Sequence, residues 1–545
     1  MAFVYHTNNN QNHTTSAALK PIHASSSKTS ANGKISVSLA EQNTVQQYNL
    51  FGAIALILGI CVGSGVFFKA DNILIATNGS IPLAILMFLI IAISIVFGGL
   101  SLSVYAEKCD GAGGMYSYAR DYLSRSIATY FGWHFGFLYL PLMAAIVCWV
   151  VGIYACVQFN LPTTLEMQIF IGTCFFIAYV CWNIFAPNVA NHFQNATTFI
   201  KMIPLIFVGF LGLFSSPNTS EIMVTQTAAI PTAGFGWLMA AAPVAFSFDG
   251  WNTALAITPE LKNAKKNLPI ALVVAPILVL SLNLLYFVGI SCYLGPETVI
   301  SAGDASLQIL FVKLLGENGA ALPNLIALIA VAGAANGIVH SILRMPQALA
   351  LHDELPFSQV IARTNPKINF PLVSAAIATI SGLIWMFIHY NVQHFGLLPN
   401  GDFSEIAIII TSFLLPALYL RVVKMWRDGE VGILRGFISP IFATVISVGV
   451  GVCSLADSTR WPFVGFYLVA MLLAVLVSAI RTHRETHPAP IHLNLAPSGF
   501  GFSPFDAEAT FLTPAIANTF NDVAENLLSM SAHNTYSDIC AHTLE

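Results

Sequence analysis

Apolar stretches of about 20 residues recur along this chain, and no other property constrains its fold as tightly. A helix needs about 20 such residues to cross the hydrocarbon of a bilayer, where the backbone must satisfy its own hydrogen bonds. Twelve stretches qualify, near residues 49–75, 81–105, 126–157, 167–186, 194–214, 235–258, 269–294, 320–350, 371–389, 404–422, 432–454 and 461–481. Only 9% of the residues are charged, against about 25% in a soluble protein. That is too little charge to cover a water-facing surface. The chain therefore reads as an all-α polytopic membrane protein with twelve transmembrane helices.

The flanks differ sharply from this core. Residues 1–45 are rich in Asn, Ser and Thr, with scattered Lys and no apolar run for a cleavable signal, and read as a solvated tail. Residues 46–482 hold the twelve-helix core, and residues 483–545 form a second tail. With the N-terminus inside, the inner loops collect most of the Lys and Arg, including Lys108, Arg120, Arg125, Lys262, Lys265, Lys266, Arg421 and Arg427. The outer loops hold only Lys69, Lys313 and Arg460. That asymmetry puts both termini in the cytoplasm and favours an even number of spans. The nine cysteines lie mostly inside apolar runs, with no metal spacing and no disulfide framework.

Two of the twelve stretches carry residues that oppose a continuous helix. The first contains Gly59, Gly63 and Gly65 with Ser64, and each glycine inside a helix costs about 0.5–1 kcal/mol relative to alanine. Such a weak point in lipid must face protein, ligand or water; close helix packing is the plainer alternative. The sixth stretch reads Ala-Pro-Val-Ala-Phe-Ser-Phe-Asp-Gly-Trp-Asn over residues 242–252. Its Asp249 is costly at mid-bilayer and should face an aqueous path or an ion partner.

Interrupted spans at corresponding positions of two halves point to a transporter binding site. The first and sixth spans correspond if two five-helix repeats of opposite orientation are followed by two extra helices. The half-helix after Gly63 would offer N–H groups and a positive dipole end, which suit a carboxylate. Unwound carbonyls at Cys61, Val62 and around Phe246–Asp249 would suit an ammonium. Together these are the α-carboxylate and α-amine of an amino acid.

Five motifs resemble the amino acid–polyamine–organocation superfamily, closest to its L-type and basic amino acid antiporter branches. They are Gly59–Phe67, Phe246–Asn252, Thr258–Pro269, Gly111–Tyr118, and Asn336–Arg344 with Leu355-Pro356. The resemblance covers residues 46–482 and implies a LeuT-like fold of 5+5 inverted repeats, with helices 1 and 6 unwound at the midplane. It implies alternating-access transport of amino acids or related amines, by exchange or linked to protons. Carried over by position, Ser64 and Gly65 would bind the substrate carboxylate. The carbonyls of Cys61 and Phe246 would take the amine, and the Phe246 ring would close the outer side. Gly250, Trp251 and Asn252 would shape the unwound turn. Ile60 departs from the small polar residue of many relatives, and Asp249 stands where neutral amino acid carriers often have Gly.

Individual residues leave alternatives open. Lys201, in the fifth span, is either a lysine snorkelling to the interface or an intramembrane cation touching the first break. The resemblance favours the second and, with it, sodium independence, and burial makes Lys201 a candidate coupling or proton site. Asp249 is a helix-capping acceptor, an anion for cationic substrates or a proton carrier. Glu260 and Arg344 are expected to pair at the inner gate. His134, His192 and His340 read as packing residues rather than proton relays.

A secondary amino acid transporter is the leading function. The alternatives are a polyamine- or GABA-type amine antiporter and a non-transporting amino acid sensor on the same fold. No clustered catalytic set, phosphate loop or nucleic-acid patch argues for an enzyme or a nucleotide partner. No cofactor is expected, and the expected assembly is a monomer or homodimer. The loop near residues 158–166 lacks a cysteine, so no disulfide-linked heavy chain is expected. That lack and the Tyr-Ser-Tyr-Ala-Arg entry to the third span point to a bacterial inner membrane.

Overall fold

The computed structural model describes residues 49–63, 65, 69–108, 114–215, 234–252, 255, 261–316, 321–368, 370–398, 403–456 and 458–486. These residues belong to one compact unit, Thr44–Glu545. It is all-helical: among the described residues the one strand-like feature is a bridge between Asn365 and Phe370. Among the described residues nine helices are long and apolar enough to span a bilayer, or ten if a pair bent by 116° counts as one span.

We number the helices that position the site α1 Leu50–Cys61, α2 Ala70–Ala76, α3 Ile81–Lys108, α4 Arg125–Trp133, α5 Leu140–Gln158, α6 Leu165–Phe185 and α7 Pro187–Ser215. They continue as α8 Ala241–Phe246, α9 Ala264–Leu294, α10 Ala321–Ile342, α11 Leu372–His394, α12 Ser404–Arg427, α13 Ser439–Ser454 and α14 Trp461–Thr486. The first and sixth apolar stretches are the short exceptions. α1 stops at Cys61 and the chain turns at Val62 and Gly63, Gly65 is again helical, and the next described helix is α2; α8 stops at Phe246 and runs into a turn.

Local chemistry explains where these helices start and bend. Asn49 caps α1 by accepting the Gly52 N–H at 2.8 Å, and Ser124 caps α4 by accepting that of Ile127 at 3.2 Å. Between α4 and α5 the third span widens into a π-helical turn, His134–Tyr139. Pro141 follows it and has no N–H for the carbonyl of Phe137. α11 supplies the missing donors: Trp385 Nε1 reaches that oxygen at 2.8 Å and Ser381 Oγ at 3.3 Å. The bulge is thus satisfied from outside its own helix, and it turns both His134 and Tyr139 into the bundle interior, where both are buried.

Candidate functional site

The two interrupted stretches lie against each other. Cys61 Sγ donates to the Phe248 carbonyl at 3.2 Å, and Ser247 Oγ donates to the Gly65 carbonyl at 3.1 Å. A Cβ on Gly65 would stand 2.7 Å from Ser247 Cα. Gly250 has φ +96°, and a Cβ there would meet Ile60 Cγ2 at 2.4 Å. Glycine is required at Gly250 on both counts. From the far side, α9 steadies the turn: Asn283 Nδ2 donates to the Ser247 carbonyl at 3.0 Å.

The three glycines of the first stretch do not share one role. Gly59 lies inside α1, where a Cβ would stand 2.5 Å from Thr198 Oγ1 on α7. It therefore serves close packing, and the break begins only at Val62. Gly63 approaches α10, with 2.6 Å from its would-be Cβ to Ala334 Cβ. Its N–H donates to the Cys61 carbonyl at 3.0 Å, which makes a tight turn of the break. The Phe246 carbonyl similarly accepts the Asp249 N–H at 3.0 Å. Each of these oxygens keeps one lone pair for another donor. Ser64 and Glu260 lie outside the described residues, as do residues 253–254 and 256–258 at the end of the sixth stretch.

Two lysines flank the first break, and both are buried. Lys201 on α7 is fully buried and donates to the carbonyl of Gly59, one turn before the break. No ion pair involves it among the described residues. Lys69, just before α2, lies 5.2 Å from the Phe246 ring centroid and pairs with Glu405 of α12 at 3.2 Å. Arg460 completes that cluster at 2.7 Å from the same carboxylate.

Asp249 and Asn252 line a cavity of about 70 Å³ behind the sixth stretch, walled also by α3, α12 and α13. Tyr139, from the π-helical turn, donates its hydroxyl to Asp249. His134 sits beside it, between Thr411 Oγ1 at 2.8 Å and the Tyr467 hydroxyl at 3.0 Å. Thr411 donates its own proton to the Ala407 carbonyl at 2.8 Å, so it accepts from Nε2–H and leaves Nδ1 to accept from Tyr467. A neutral imidazole satisfies both neighbours, in keeping with a packing role. His192 and His340 likewise meet neutral partners, the Asn188 carbonyl at 2.6 Å and Asn183 Oδ1 at 3.1 Å.

Trp251 is buried beside the turn, whereas Arg344 stands apart from this cluster, exposed, with its guanidinium 5.3 Å from the Phe370 ring centroid. A second, larger cavity of about 670 Å³ between the ends of α11 and α14 is walled by Phe387, Phe403, Phe463 and Phe466. It is largely apolar, and no residue of either break lines it.

The all-helical fold with its apolar spans agrees with what the chain resembles in sequence. A model of the amino acid permease family matches residues 48–496. The chain belongs to that family. It is 24% identical over 398 residues to the serine/threonine exchanger SteT of Bacillus subtilis, covering 73% of this chain and 87% of that protein. It is also 26% identical over 268 residues to the mouse b(0,+)-type amino acid transporter 1, and 25% over 258 residues to the human one. Those matches cover 46% and 44% of this chain and about half of each transporter, 53% and 51%. The permease is thus a multi-pass integral membrane protein of a secondary amino acid transport family, and its relatives are transporters, not enzymes.

Sequence reading alone missed Tyr139, Lys69 and Glu405. Tyr139 left no spacing signal, because a π-helical turn shifts its facing by one residue. Lys69 was counted as an outer-loop charge. A lysine four residues after the last glycine of an interrupted span was the available clue.

Proposed function

We propose that this permease is a sodium-independent amino acid exchanger that works by alternating access, with the two interrupted stretches forming the substrate site. The single observation that carries the reading is the buried Lys201 ammonium on the Gly59 carbonyl. A fixed cation already sits beside the break, where a coupling sodium ion would otherwise compensate the same carbonyl dipoles. Gly63, Ser64 and Gly65 take the substrate carboxylate, while the carbonyls of Cys61, Val62 and Phe246 take its amine. Phe246 closes the outer side. Trp251 and Asn252 steady the turn, and Glu260 with Arg344 closes the inner side. The name of the SteT relative supports exchange.

The architecture that goes with this reading has twelve spans in a LeuT-like 5+5 arrangement plus two helices. Its core is residues 46–482, flanked by cytoplasmic tails 1–45 and 483–545. The reading also includes a bacterial inner membrane, no disulfide-linked heavy chain, and a monomer or homodimer. Support comes from the loop charges and from the interruptions at the first and sixth stretches.

Proton-linked transport, or antiport of amines, is the second reading. The observation favouring it is Asp249, a half-buried carboxylate with no ion pair among the described residues. Such a group calls for a cation, supplied by a proton or by the substrate. Counterflow in proteoliposomes separates the readings. Exchange predicts uptake only into amino-acid-loaded vesicles, unchanged within twofold when choline replaces sodium or when the pH gradient is collapsed. Uptake that requires sodium would sink the proposal; uptake that requires the pH gradient would select the second reading.

A further inference from the structure

Behind the first break, a relay of hydrogen bonds orients two buried amides and leaves the second with a spare donor. The indole Nε1 of Trp182, on α6, can only donate, and it reaches Asn336 Oδ1 at 2.7 Å. Asn183 Nδ2 donates to the same oxygen at 2.9 Å and to the Tyr179 carbonyl at 2.8 Å. The Asn336 amide on α10 is therefore fixed with Nδ2 toward α7, where it donates to the Ala190 carbonyl at 3.3 Å and to Gln194 Oε1 at 3.2 Å. That bond in turn fixes the Gln194 amide with Nε2 toward α1. Nε2 lies 2.9 Å from where a Cβ on Gly59 would stand and 3.3 Å from one on Gly337, in a slot that two glycines leave open. Gln194 is 7% exposed, and its Nε2 has no hydrogen-bond partner among the described residues. A buried donor left unpaired costs free energy and asks for a reason.

We propose that Gln194 is a positioning residue for transport, whose amide takes a carbonyl in the last turn of α1 in the alternate state of the cycle. The proposal rests on the alternating-access reading above. The last turn of a helix carries orphan carbonyls, because no N–H follows four residues on. Here the Gly63 N–H donates to the Cys61 carbonyl, not to that of Gly59, and Lys201 occupies the Gly59 oxygen. Gln194 and Lys201 are about two turns apart on one face of α7, and both meet α1 at Gly59. Thr198, between them, spends its proton on the Gln194 carbonyl at 2.7 Å. When α1 moves off Lys201, the donor left on that face to hold its end is Gln194. Each state then has its own donor, the ammonium here and the amide in the other. Trp182 and Asn336 act through Gln194, by dictating which end of its amide faces α1.

The test uses the full-length protein in proteoliposomes of known orientation, with counterflow of the radiolabelled amino acid that the wild type carries fastest, L-serine being tried first. The readout is the ratio of outer to inner KM. That ratio follows the balance between the two states and is independent of the amount of folded protein. Gln194→Met keeps the length of the side chain and removes the donor. It should move the ratio at least fivefold, the equivalent of one hydrogen bond of about 1 kcal/mol. Its denaturation midpoint should stay close to wild type, because Nε2 makes no bond in this state. Asn336→Asp keeps the volume but turns an acceptor toward Gln194. The Gln194 amide should then reverse and present Oε1 to α1, moving the ratio in the same direction by at least fivefold. Gln194→Met decides alone if Asn336→Asp does not fold. A ratio within twofold of wild type in either folded variant would overturn the proposal while leaving transport intact. A clearly lowered midpoint or loss of folded protein in Gln194→Met would also overturn it, by making Gln194 a structural residue. Absence of wild-type counterflow for every amino acid would overturn both this proposal and the transport reading.

Discussion

Lys69 and Lys201 are equally buried and stand on either side of the same break, yet they are compensated in opposite ways. Lys69 has a carboxylate, Glu405, shared with Arg460, and the Phe246 ring beneath it. Lys201 has a carbonyl dipole. A buried charge with a full counter-charge is at rest, and removing any member of the cluster exposes the cost of burying the others. A buried charge held only by a dipole is poised to respond when the backbone at Gly59 moves or when another charge enters. In the exchanger proposed above, this difference gives Lys69 the task of holding the architecture and Lys201 a part in the transport cycle.

The strongest way to break this comparison is through Glu405. Glu405→Gln leaves Lys69 and Arg460 buried without their counter-charge, which should cost about 3 kcal/mol or more. Thermal denaturation in detergent should show a clearly lowered midpoint. A midpoint within error of wild type would mean that the cluster is not structural. A smaller loss is expected for Lys69→Met, because Glu405 keeps Arg460; its denaturation midpoint should fall between those of wild type and Glu405→Gln.

Asp249 sharpens the comparison from the anionic side. Asp249→Gly should reduce uptake of ammonium-bearing substrates at least tenfold more than uptake of glycine. Equal loss for both would make Asp249 a structural acceptor. The smallest effect concerns a group outside the spans. Burial, and then the Arg120 guanidinium beside it, pull the His352 imidazole down to about 4 from its ordinary 6.5. A group held neutral in this way adds stability above about pH 6.5 that is lost progressively as the pH falls toward 4. His352→Asn should flatten that acid-side decline in the denaturation midpoint, and an unchanged slope would remove His352 from it.

Much of this was legible in the sequence because membranes make sequence patterns literal. Twenty apolar residues must be helix, and glycines beside Asp249 inside such a run must mark an interruption. Lys201 could be singled out because charge is expensive there. The details that were not legible are those set by packing between distant segments. Gly59 looked like part of the break but is a contact with Thr198. Tyr139 could not be placed, because Pro141 and the donors from Ser381 and Trp385 together make the π-helical turn. The pairing of Lys69 with Glu405 spans 336 residues of sequence. No local pattern announces a contact of that separation.

The most direct test of the contrast between the two lysines is counterflow by Lys201→Met and Lys69→Met, normalised to folded protein recovered in the vesicles. The account predicts that Lys201→Met falls below about one hundredth of the wild-type rate, a loss of about 2.7 kcal/mol in transport barrier. Lys69→Met should keep at least a third of that rate per folded molecule. Wild-type-like counterflow by folded Lys201→Met, or equal losses in both variants, would contradict it.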